Sequence, residues 1–248
     1  MTIAAITFFC TFGCALAATY IRGLLPPPHL SKESQDVVRL GIGLVATMTA
    51  LLLGLVTAAA RGAFESQDTA MKNSAATILT LDRQLARYGP ETKPTRDLMQ
   101  RALATRIKML WPESGPGGSG LDASSPAIEE IENQILRLSP ENDTQRWFKS
   151  ETLKLVQEVV KTRWRVLESN GGAIPFPFLV AVIFWLTVTF TSFGLYAPRN
   201  ATVVGVLFVA ALSVAAAVFL ILELDGPYDG IIRISSGPLQ FALSHLNQ

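Results

Sequence analysis

Four long stretches of the chain contain no charged side chain, and this feature limits the possible folds more than any other. The stretches cover residues 2–21, 40–60, 169–198 and 200–222. About 20 apolar residues in a helix, rising 1.5 Å each, cross a hydrocarbon core of roughly 30 Å. Each stretch is long enough to do so, the third after trimming to about 176–197. The sequence therefore predicts four transmembrane helices.

The charged residues concentrate between the second and third stretches. Residues 65–175 hold 15 of the 21 Lys and Arg residues and 15 of the 20 Asp and Glu residues, so this block is neutral overall. A nucleic-acid-binding face would need clustered positive charge, and the balance argues against such a partner. We expect a soluble domain made of solvated helices.

Helix start and stop signals divide this block. The second span meets no stop signal before Gly89-Pro90, so its helix should continue beyond the bilayer to about Tyr88. Thr95 should open a shorter helix, and Ser125-Pro126 and Ser139-Pro140 should each start another, because each places a capping hydroxyl before a proline suited to the first turn.

No segment alternates apolar and polar residues as a half-buried strand would, so the predicted fold class is all-α. It comprises four transmembrane helices with a helical soluble domain inserted between the second and third. The predicted divisions are transmembrane helices 1 and 2, the soluble helical domain, transmembrane helices 3 and 4, and a C-terminal motif with an amphipathic tail, at residues 1–64, 65–175, 176–224 and 225–248. Leu239, Leu243 and Leu246 of that tail could dock on the helical bundle or on the membrane surface.

Positive charge near the span ends favours one orientation. Six Lys or Arg residues lie on the side shared by the N terminus, the soluble domain and the tail, and four lie on the other side. Cytoplasmic loops carry the excess of Lys and Arg, so the soluble domain and both termini should be cytoplasmic.

Residues suited to catalysis are scarce. The only histidines are His29 and His245, and the chain contains no GxSxG, HExxH or P-loop pattern, so an enzyme is not predicted. The spans lack interior titrating residues, which a proton relay or ion-coupled carrier would need, whereas a passive pathway remains compatible. Cys10 and Cys14 share one helix face and are expected to pack, a disulfide or metal site being the alternative.

Two sets of residues in the spans could line a pathway or an interface. The third span places Thr187 and Thr191 on one side as pore-lining candidates, although such hydroxyls often bond their own helix. The second span carries a ridge of small residues whose alternatives are packing within the chain, a subunit interface or a pore wall. The ridge consists of Gly43, Thr47, Ala50, Gly54 and Ala58.

Charged residues at the ends of the fourth span form two further candidate sites. Asn200 should cap this helix, and together with Arg199 its N-terminus makes a positive spot that could attract an anion, unless Arg199 only reaches to lipid head groups. At the other end, Glu223, Asp225 and Asp229 oppose the helix macrodipole and should need a positive partner. That partner would be Ca²⁺, bound through carboxylate and carbonyl oxygens, or an arginine such as Arg233, Arg61 or Arg165.

Several of these segments resemble the bestrophin-like domain family of bacterial membrane proteins. The resemblance is carried by FGLYAPRNAT at 193–202, LILELD at 220–225, PYDGIIRIS at 227–235 and the Pro238-Leu239 pair. The sequence departs from the family pattern at Gly226, where an arginine would be expected. The loss of that arginine removes one partner for the neighbouring carboxylates.

The resemblance implies kinship with bestrophins, which are oligomeric anion channels opened by Ca²⁺ bound near an acidic segment beyond the last span. Glu223, Asp225 and Asp229 occupy a comparable place in the chain. The hydrophobic neck of the bestrophin pore comes from the second span, and Leu44, Leu51 and Leu55 are loose analogues here.

Together these observations predict a homo-oligomer in lipid that forms an ion pathway with anions as the permeant ions. The expected location is the bacterial inner membrane, with Ca²⁺ as the only cofactor to consider. The alternative is a non-conducting scaffold or sensor that binds a partner protein through the apolar stripes at residues 71–88 and 153–167. An enzyme is a distant third.

Overall fold

The structure is a computed structural model that describes residues 1–24, 26, 32–112, 126–169, 174–226 and 230–248. Every regular element within these ranges is helical. The α-helices are α1 (Thr2–Ile21), α2 (Lys32–Tyr88), α3 (Lys93–Leu110), α4 (Pro126–Leu136), α5 (Asp143–Ser169), α6 (Phe176–Tyr196), α7 (Ala201–Asp225) and α8 (Gly237–His245). Short 3-10 turns lie at Arg22–Leu24 and Pro90–Thr92. The all-α prediction is confirmed.

The chain divides into two compact units. The first contains Met1–Gly62 and Ala173–Asp225, and the second contains Ala63–Gly172 and Gly226–Gln248. The long helix α2 contributes its N-terminal part to the first unit and the remainder to the second. Four helices of the described chain, α1 with its following turn, α2, α6 and α7, are long and apolar enough to cross a membrane.

In the first unit, α1 packs against both α6 and α7. Ala15, Phe190, Leu207 and Ala211 form the buried centre of this contact. Rings from α1 and α7 extend it, because Phe8 and Phe12 each meet Phe208 edge to face, with centroids 5.6 and 5.4 Å apart. Edge-to-face pairs of this kind add about 0.5–1.5 kcal/mol beyond the area that they bury.

The backbones of α1 and α6 approach closely at Gly194. A Cβ atom built on Gly194 would overlap the carbonyl oxygen of Ala15, so no larger residue fits without moving a helix. Helices in lipid associate largely through such close packing at small residues. The close approach of α1 and α6 thus explains why the FGLYAP motif has a glycine at residue 194.

The second unit has a core to which four helices contribute. Leu81 and Leu85 come from α2, Met99 comes from α3, and Val156 comes from α5, while Ile131 and Ile135 come from α4. Burying an aliphatic side chain of this size contributes roughly 1.5–3 kcal/mol relative to leaving it exposed. The two core residues of α2, and likewise the two of α4, lie four positions apart and therefore share one apolar face of their helix.

The C-terminal tail docks on the second unit through a separate core. Leu239 and Ala242 of α8, Leu246 just after it and Ile234 before it are buried against residues of α2 and α3. The indole nitrogen of Trp111 donates a hydrogen bond of 2.9 Å to the carbonyl oxygen of Ile234. Of the two predicted docking sites for the tail, the helical bundle is therefore the one observed.

The helix boundaries agree with the sequence signals at some ends and differ at others. Helix α2 ends at Tyr88 as predicted, because Gly89 adopts a φ of 152° that favours glycine. Helix α5 begins at Asp143 and not after Ser139, so that prediction was wrong. The side chain of Asn142 caps α5 by accepting a 2.8 Å hydrogen bond from the amide of Gln145.

Two observations bear on the predicted helix ends and faces. Helix α7 continues to Asp225, so Glu223 and Asp225 lie in its last turn, at the helix C-terminus where they were predicted. Trp164 falls within the predicted apolar stripe at residues 153–167 and is instead 57% exposed. The buried positions of α5 include Thr152, Val156 and Arg163, which turns its inner face slightly from the predicted one.

Candidate functional site

The membrane-length part of α2 leaves a line of large apolar side chains exposed. Leu44, Leu51 and Leu55, the candidate neck residues, are 64%, 77% and 63% exposed in the single chain. Val37, Leu40 and Met48 are also exposed, and the spacing of three or four residues between successive members of the set places them all on the same face of the helix. This face, called the leucine stripe below, consists of Val37, Leu40, Leu44, Met48, Leu51 and Leu55.

The ridge of small residues lies beside the leucine stripe and is also exposed. All five of its residues, Gly43, Thr47, Ala50, Gly54 and Ala58, are exposed in the single chain. A Cβ atom built on Gly43 or Gly54 would meet no described atom within 4 Å outside the helix's own backbone. The two ridge glycines therefore have space around them among the described residues, and the role of the ridge in helix packing stays a prediction.

A different face of α2 holds the helix in the first unit. Val56 and Ala60 are buried against Ile221 of α7, with Leu224 packed beside them. Thr49 is also buried, and its hydroxyl donates a 2.7 Å hydrogen bond to the carbonyl oxygen of Val45. The leucine stripe and the ridge are thus left over after α2 has made its contacts within this unit.

The two pore-lining candidates of α6, Thr187 and Thr191, bond to their own helix. The hydroxyl of Thr187 donates to the carbonyl oxygen of Ile183 at 2.7 Å, and that of Thr191 donates to the carbonyl oxygen of Thr187 at 2.6 Å. Both residues are half-buried. This pattern matches the alternative in which hydroxyls in apolar helices satisfy nearby carbonyl groups.

Two arginines connect the neighbouring ends of α1 and α6. Arg199 donates from Nε and Nη2 to the carbonyl oxygen of Thr19, at 2.9 and 2.8 Å, and from Nη2 to that of Tyr20 at 3.1 Å. In return, Nη1 of Arg22 donates to the carbonyl oxygen of Ala197 at 2.5 Å. Each cation therefore satisfies carbonyl groups at the C-terminus of the other helix, where positive charge is favoured.

Asn200 caps α7 as predicted, since its side-chain oxygen accepts a 2.8 Å hydrogen bond from the amide of Val203. The expected positive spot at Arg199 and Asn200 is therefore also a structural junction. The guanidinium of Arg199 already donates hydrogen bonds to carbonyl groups of α1, although the residue remains exposed. Attraction of an anion to this position stays a prediction.

The acidic end of α7 does not form a complete metal site in the described part of the chain. Glu223 and Asp225 are half-buried in the last helical turn, and both interact with other groups. Residues two apart on a helix point about 200° away from each other, so one ion cannot readily be shared by both carboxylates. Asp229 lies outside the described residues, and among the described ones no group of three or more potential ligands occurs. Calcium binding here stays a prediction.

The second unit contains a buried ion pair that the sequence reasoning missed. Asp82 is 0% exposed, and Arg96 donates to both of its carboxylate oxygens, at 2.7 Å from Nε and 2.9 Å from Nη2. This hydrogen bonding with Asp82 raises the pKa of Arg96. The only feature of the sequence that could have indicated this ion pair is the position of Asp82 next to Leu81, at the edge of the apolar face of α2.

The tail closes over this ion pair. The main-chain amide of Asn247 donates to Oδ2 of Asp82 at 3.3 Å, and its side-chain amide donates to Asp97 at 3.0 Å and Gln100 at 2.9 Å. Arg83 donates to the main-chain oxygen of Gln248 at 2.8 Å. Polar and apolar contacts thus fix the same tail.

The bestrophin-like domain model matches residues 9–239 of the chain. The protein belongs to the bestrophin-like family. No curated protein shows significant sequence similarity to it. The segments that carry the family likeness coincide with the contacts described above, because Gly194 permits the approach of α6 to α1, Arg199 caps α1, and Leu239 anchors the tail.

Solved structures of a bacterial bestrophin homologue from Klebsiella pneumoniae share the fold of this bestrophin-like chain. One, determined by Zn-SAD phasing, is 14% identical with a TM-score of 0.65, covering 97% of this chain and 96% of the homologue. A single-substitution variant of that homologue is also 14% identical, with a TM-score of 0.68 over 98% and 94% of the two chains. Identity at this level establishes the fold alone.

Proposed function

We propose that this bestrophin-like protein is an oligomeric integral membrane protein that forms an ion pathway, with anions as the permeant ions. One observation carries the proposal: the leucine stripe and the small-residue ridge stay exposed along a membrane-length helix whose buried residues, Thr49, Val56 and Ala60, lie on another face. A second copy of the chain can cover the ridge, and the leucine stripe can then face a shared axis as a hydrophobic constriction.

The proposed topology has four spans, with the helical unit inserted between the second and third. The length and apolarity of α1, α2, α6 and α7 support it. The excess of Lys and Arg supports a cytoplasmic location for the helical unit and both termini. By its bestrophin-like kinship, the protein would reside in the bacterial inner membrane.

The alternative function, a scaffold that binds a partner protein, depended on the apolar stripes at residues 71–88 and 153–167. Met71, Ala75, Leu81 and Leu85 of the first stripe and Val156 of the second are buried in the cores of the helical unit itself, while Trp164 of the second is exposed. A partner could reach the buried residues only by opening those cores. The exposed apolar surface of α2 lies instead in its membrane-length part, which favours an ion pathway.

Current recordings on the purified protein in planar bilayers test the proposal. With unequal KCl concentrations on the two sides, the reversal potential should move toward the chloride equilibrium potential. The recordings should cover chelated to millimolar Ca²⁺ and both signs of voltage. Absence of current under all these conditions would exclude the channel, whereas reversal near the potassium potential would overturn the anion assignment alone.

Substitution on the leucine stripe locates the pathway. Leu51→Thr should raise the single-channel conductance or the open probability, because a polar side chain lowers the cost of wetting a hydrophobic constriction. Leu212→Thr on α7 is the matched control, since Leu212 is 51% exposed but does not belong to the stripe. Equal currents from the two variants would place the pathway elsewhere.

A further inference from the structure

The helical unit contains a cavity between its four main helices. Its volume is about 390 Å³, and it is lined by side chains from α2, α3, α4 and α5. Leu81, Leu103, Ile131 and Val156 provide one aliphatic surface from each of these helices. Small-molecule sites have volumes of roughly 300–1,000 Å³ and mostly apolar walls, so the cavity is large enough for a ligand.

The charged residues along this cavity all have the same sign. Arg101 and Arg106 of α3 and Arg163 of α5 contribute to its lining, whereas no aspartate or glutamate does among the described residues. Arg163 is only 9% exposed, while Arg101 is exposed and holds its guanidinium close to α3 through a 3.3 Å hydrogen bond from Nε to the carbonyl oxygen of Asp97. Arg106 and Arg163 also interact with other groups.

We propose that this cavity binds an amphipathic anion that has one hydrocarbon chain and an acidic head group. The aliphatic walls would hold the chain, and the arginines would hold the head, since a guanidinium matches the geometry of a carboxylate or a phosphate. A neutral hydrocarbon would use the aliphatic walls but would make no charge-assisted contact with the three arginines that contribute to the lining. A helical peptide needs an extended groove for anchors over two turns, which a cavity of this volume does not offer.

The inference does not rest on the proposed ion pathway, because the site lies within the helical unit and its test measures binding. Free fatty acids and phosphate-bearing lipids share the chemistry of the ligand. The head group therefore has to be varied in the experiment, with the hydrocarbon chain kept constant.

Photo-crosslinking of the full-length protein in lipid nanodiscs provides the test. A diazirine-bearing dodecanoate should label peptides from α3, α4 and α5, and mass spectrometry should place the adducts at lining residues such as Met99 and Ile131. Dodecanoate or dodecyl phosphate should suppress this labelling at concentrations at least tenfold lower than dodecanol requires. Stronger competition by dodecanoate indicates a fatty acid, and stronger competition by dodecyl phosphate indicates a phospholipid-type head group.

A pair of matched variants tests the location. Ala102→Leu places three extra carbon atoms in the lining and should reduce the labelling at least tenfold, whereas Ala104→Leu, on the same helix and also half-buried but outside the lining, should leave it unchanged. Arg101→Gln gives a second variant at an exposed position, and it should weaken competition by dodecanoate but not by dodecanol. Melting curves should verify that all three variants fold.

Three results would overturn the proposal. The first is labelling confined to the apolar spans, with no adduct in the cavity lining. The second is equal competition by dodecanol and both anions. The third is equal labelling of folded Ala102→Leu and Ala104→Leu variants.

Discussion

Gly194 lies where α6 meets α1, and the absence of a side chain there lets the two backbones touch. Gly194→Ala should separate the helices and destabilise the first unit by about 1–3 kcal/mol, the usual cost of overpacking a well-filled contact. Gly205→Ala on α7 is the control, because a Cβ atom there meets no described atom within 4 Å. Thermal unfolding in detergent should show a lower melting temperature for Gly194→Ala only, and equal melting temperatures would contradict the role assigned to this contact.

Asp82 stabilises the helical unit through its two hydrogen bonds with Arg96. Asp82→Asn would leave the charge of Arg96 buried without its counter-ion, at a cost of about 3–5 kcal/mol. Asp68→Asn removes a carboxylate from an exposed pair with Lys72 on the same helix and should cost less than about 0.5 kcal/mol. Chemical unfolding, followed by helix content, measures the free energy of unfolding of both variants. A similar decrease in each would show that the buried ion pair contributes no more than the exposed one.

Tyr88 gives the helical unit a dependence on alkaline pH. Burial is the main cause that raises the pKa of Tyr88 above its ordinary value of 10.0, and the charges of Glu91 and Glu141 add to it. Because the raised pKa belongs to the folded state, the folded protein favours the neutral phenol of Tyr88. The free energy of unfolding is therefore unaffected by this group below pH 10.0, and it falls as the pH rises from 10.0 through the folded-state pKa.

Substitution of Tyr88 isolates that effect. No described group accepts or donates a hydrogen bond at its buried hydroxyl, so Tyr88→Phe should leave stability at pH 8 unchanged or raise it by about 1 kcal/mol. Above pH 10, the variant should lose less stability than the parent protein. Melting temperatures from pH 8 to 11 measure the difference, and parallel curves for the two proteins would refute it.

At the scale of single elements, the helices were largely predictable and their faces were less so. Uncharged length identified α1, α6 and α7, and Gly89 identified the end of α2. The start of α5 was misplaced because Ser139-Pro140 imitates a cap, whereas Asn142 performs it. The ion pair of Asp82 with Arg96 could not be predicted, because nothing in the sequence fixes how α2 and α3 align.

Helix α2 carries the exposed surface that we propose as a contact between copies of the chain. Gly54→Leu on the ridge should weaken the association between copies at least tenfold, because a bulky side chain prevents close approach of two helices. Gly205→Leu introduces the same side chain at an exposed glycine of α7 and serves as control. Native mass spectrometry across a dilution series reports the oligomer. An unchanged oligomer in Gly54→Leu would remove the ridge from the interface.

For the whole molecule, the proposed topology places the helical insert and the tail in one compartment. Single cysteines at Glu129, Gln240 and Lys32, introduced in a chain with Cys10 and Cys14 replaced by alanine, test it. All three positions are exposed. Membrane-impermeant maleimide should reach Glu129→Cys and Gln240→Cys only from the cytoplasmic face and Lys32→Cys only from the opposite face. Any other pattern would contradict the four-span arrangement.

The overall architecture was accessible from the sequence because hydrophobic length and helix signals are local properties. The candidate site was less accessible, since its chemistry depends on contacts between distant residues. Arg199 illustrates this limit: its charge was evident, but its hydrogen bonds to Thr19 and Tyr20 required α1 and α6 to be brought together. The subunit contact that we propose at the ridge would likewise depend on residues that are not neighbours in the sequence.

The pairing of α1 with α6 also affects how the protein is made. The hydrogen bond between Arg22 and Ala197 joins residues 175 positions apart, so α1 leaves the ribosome well before the helices that cover it. At 5–20 residues per second, this interval lasts on the order of 10 s. Through that time the translocon, lipid or a chaperone must shelter the buried face of α1. Helix α1 is thus synthesised well before α6 and α7, the helices that it packs against.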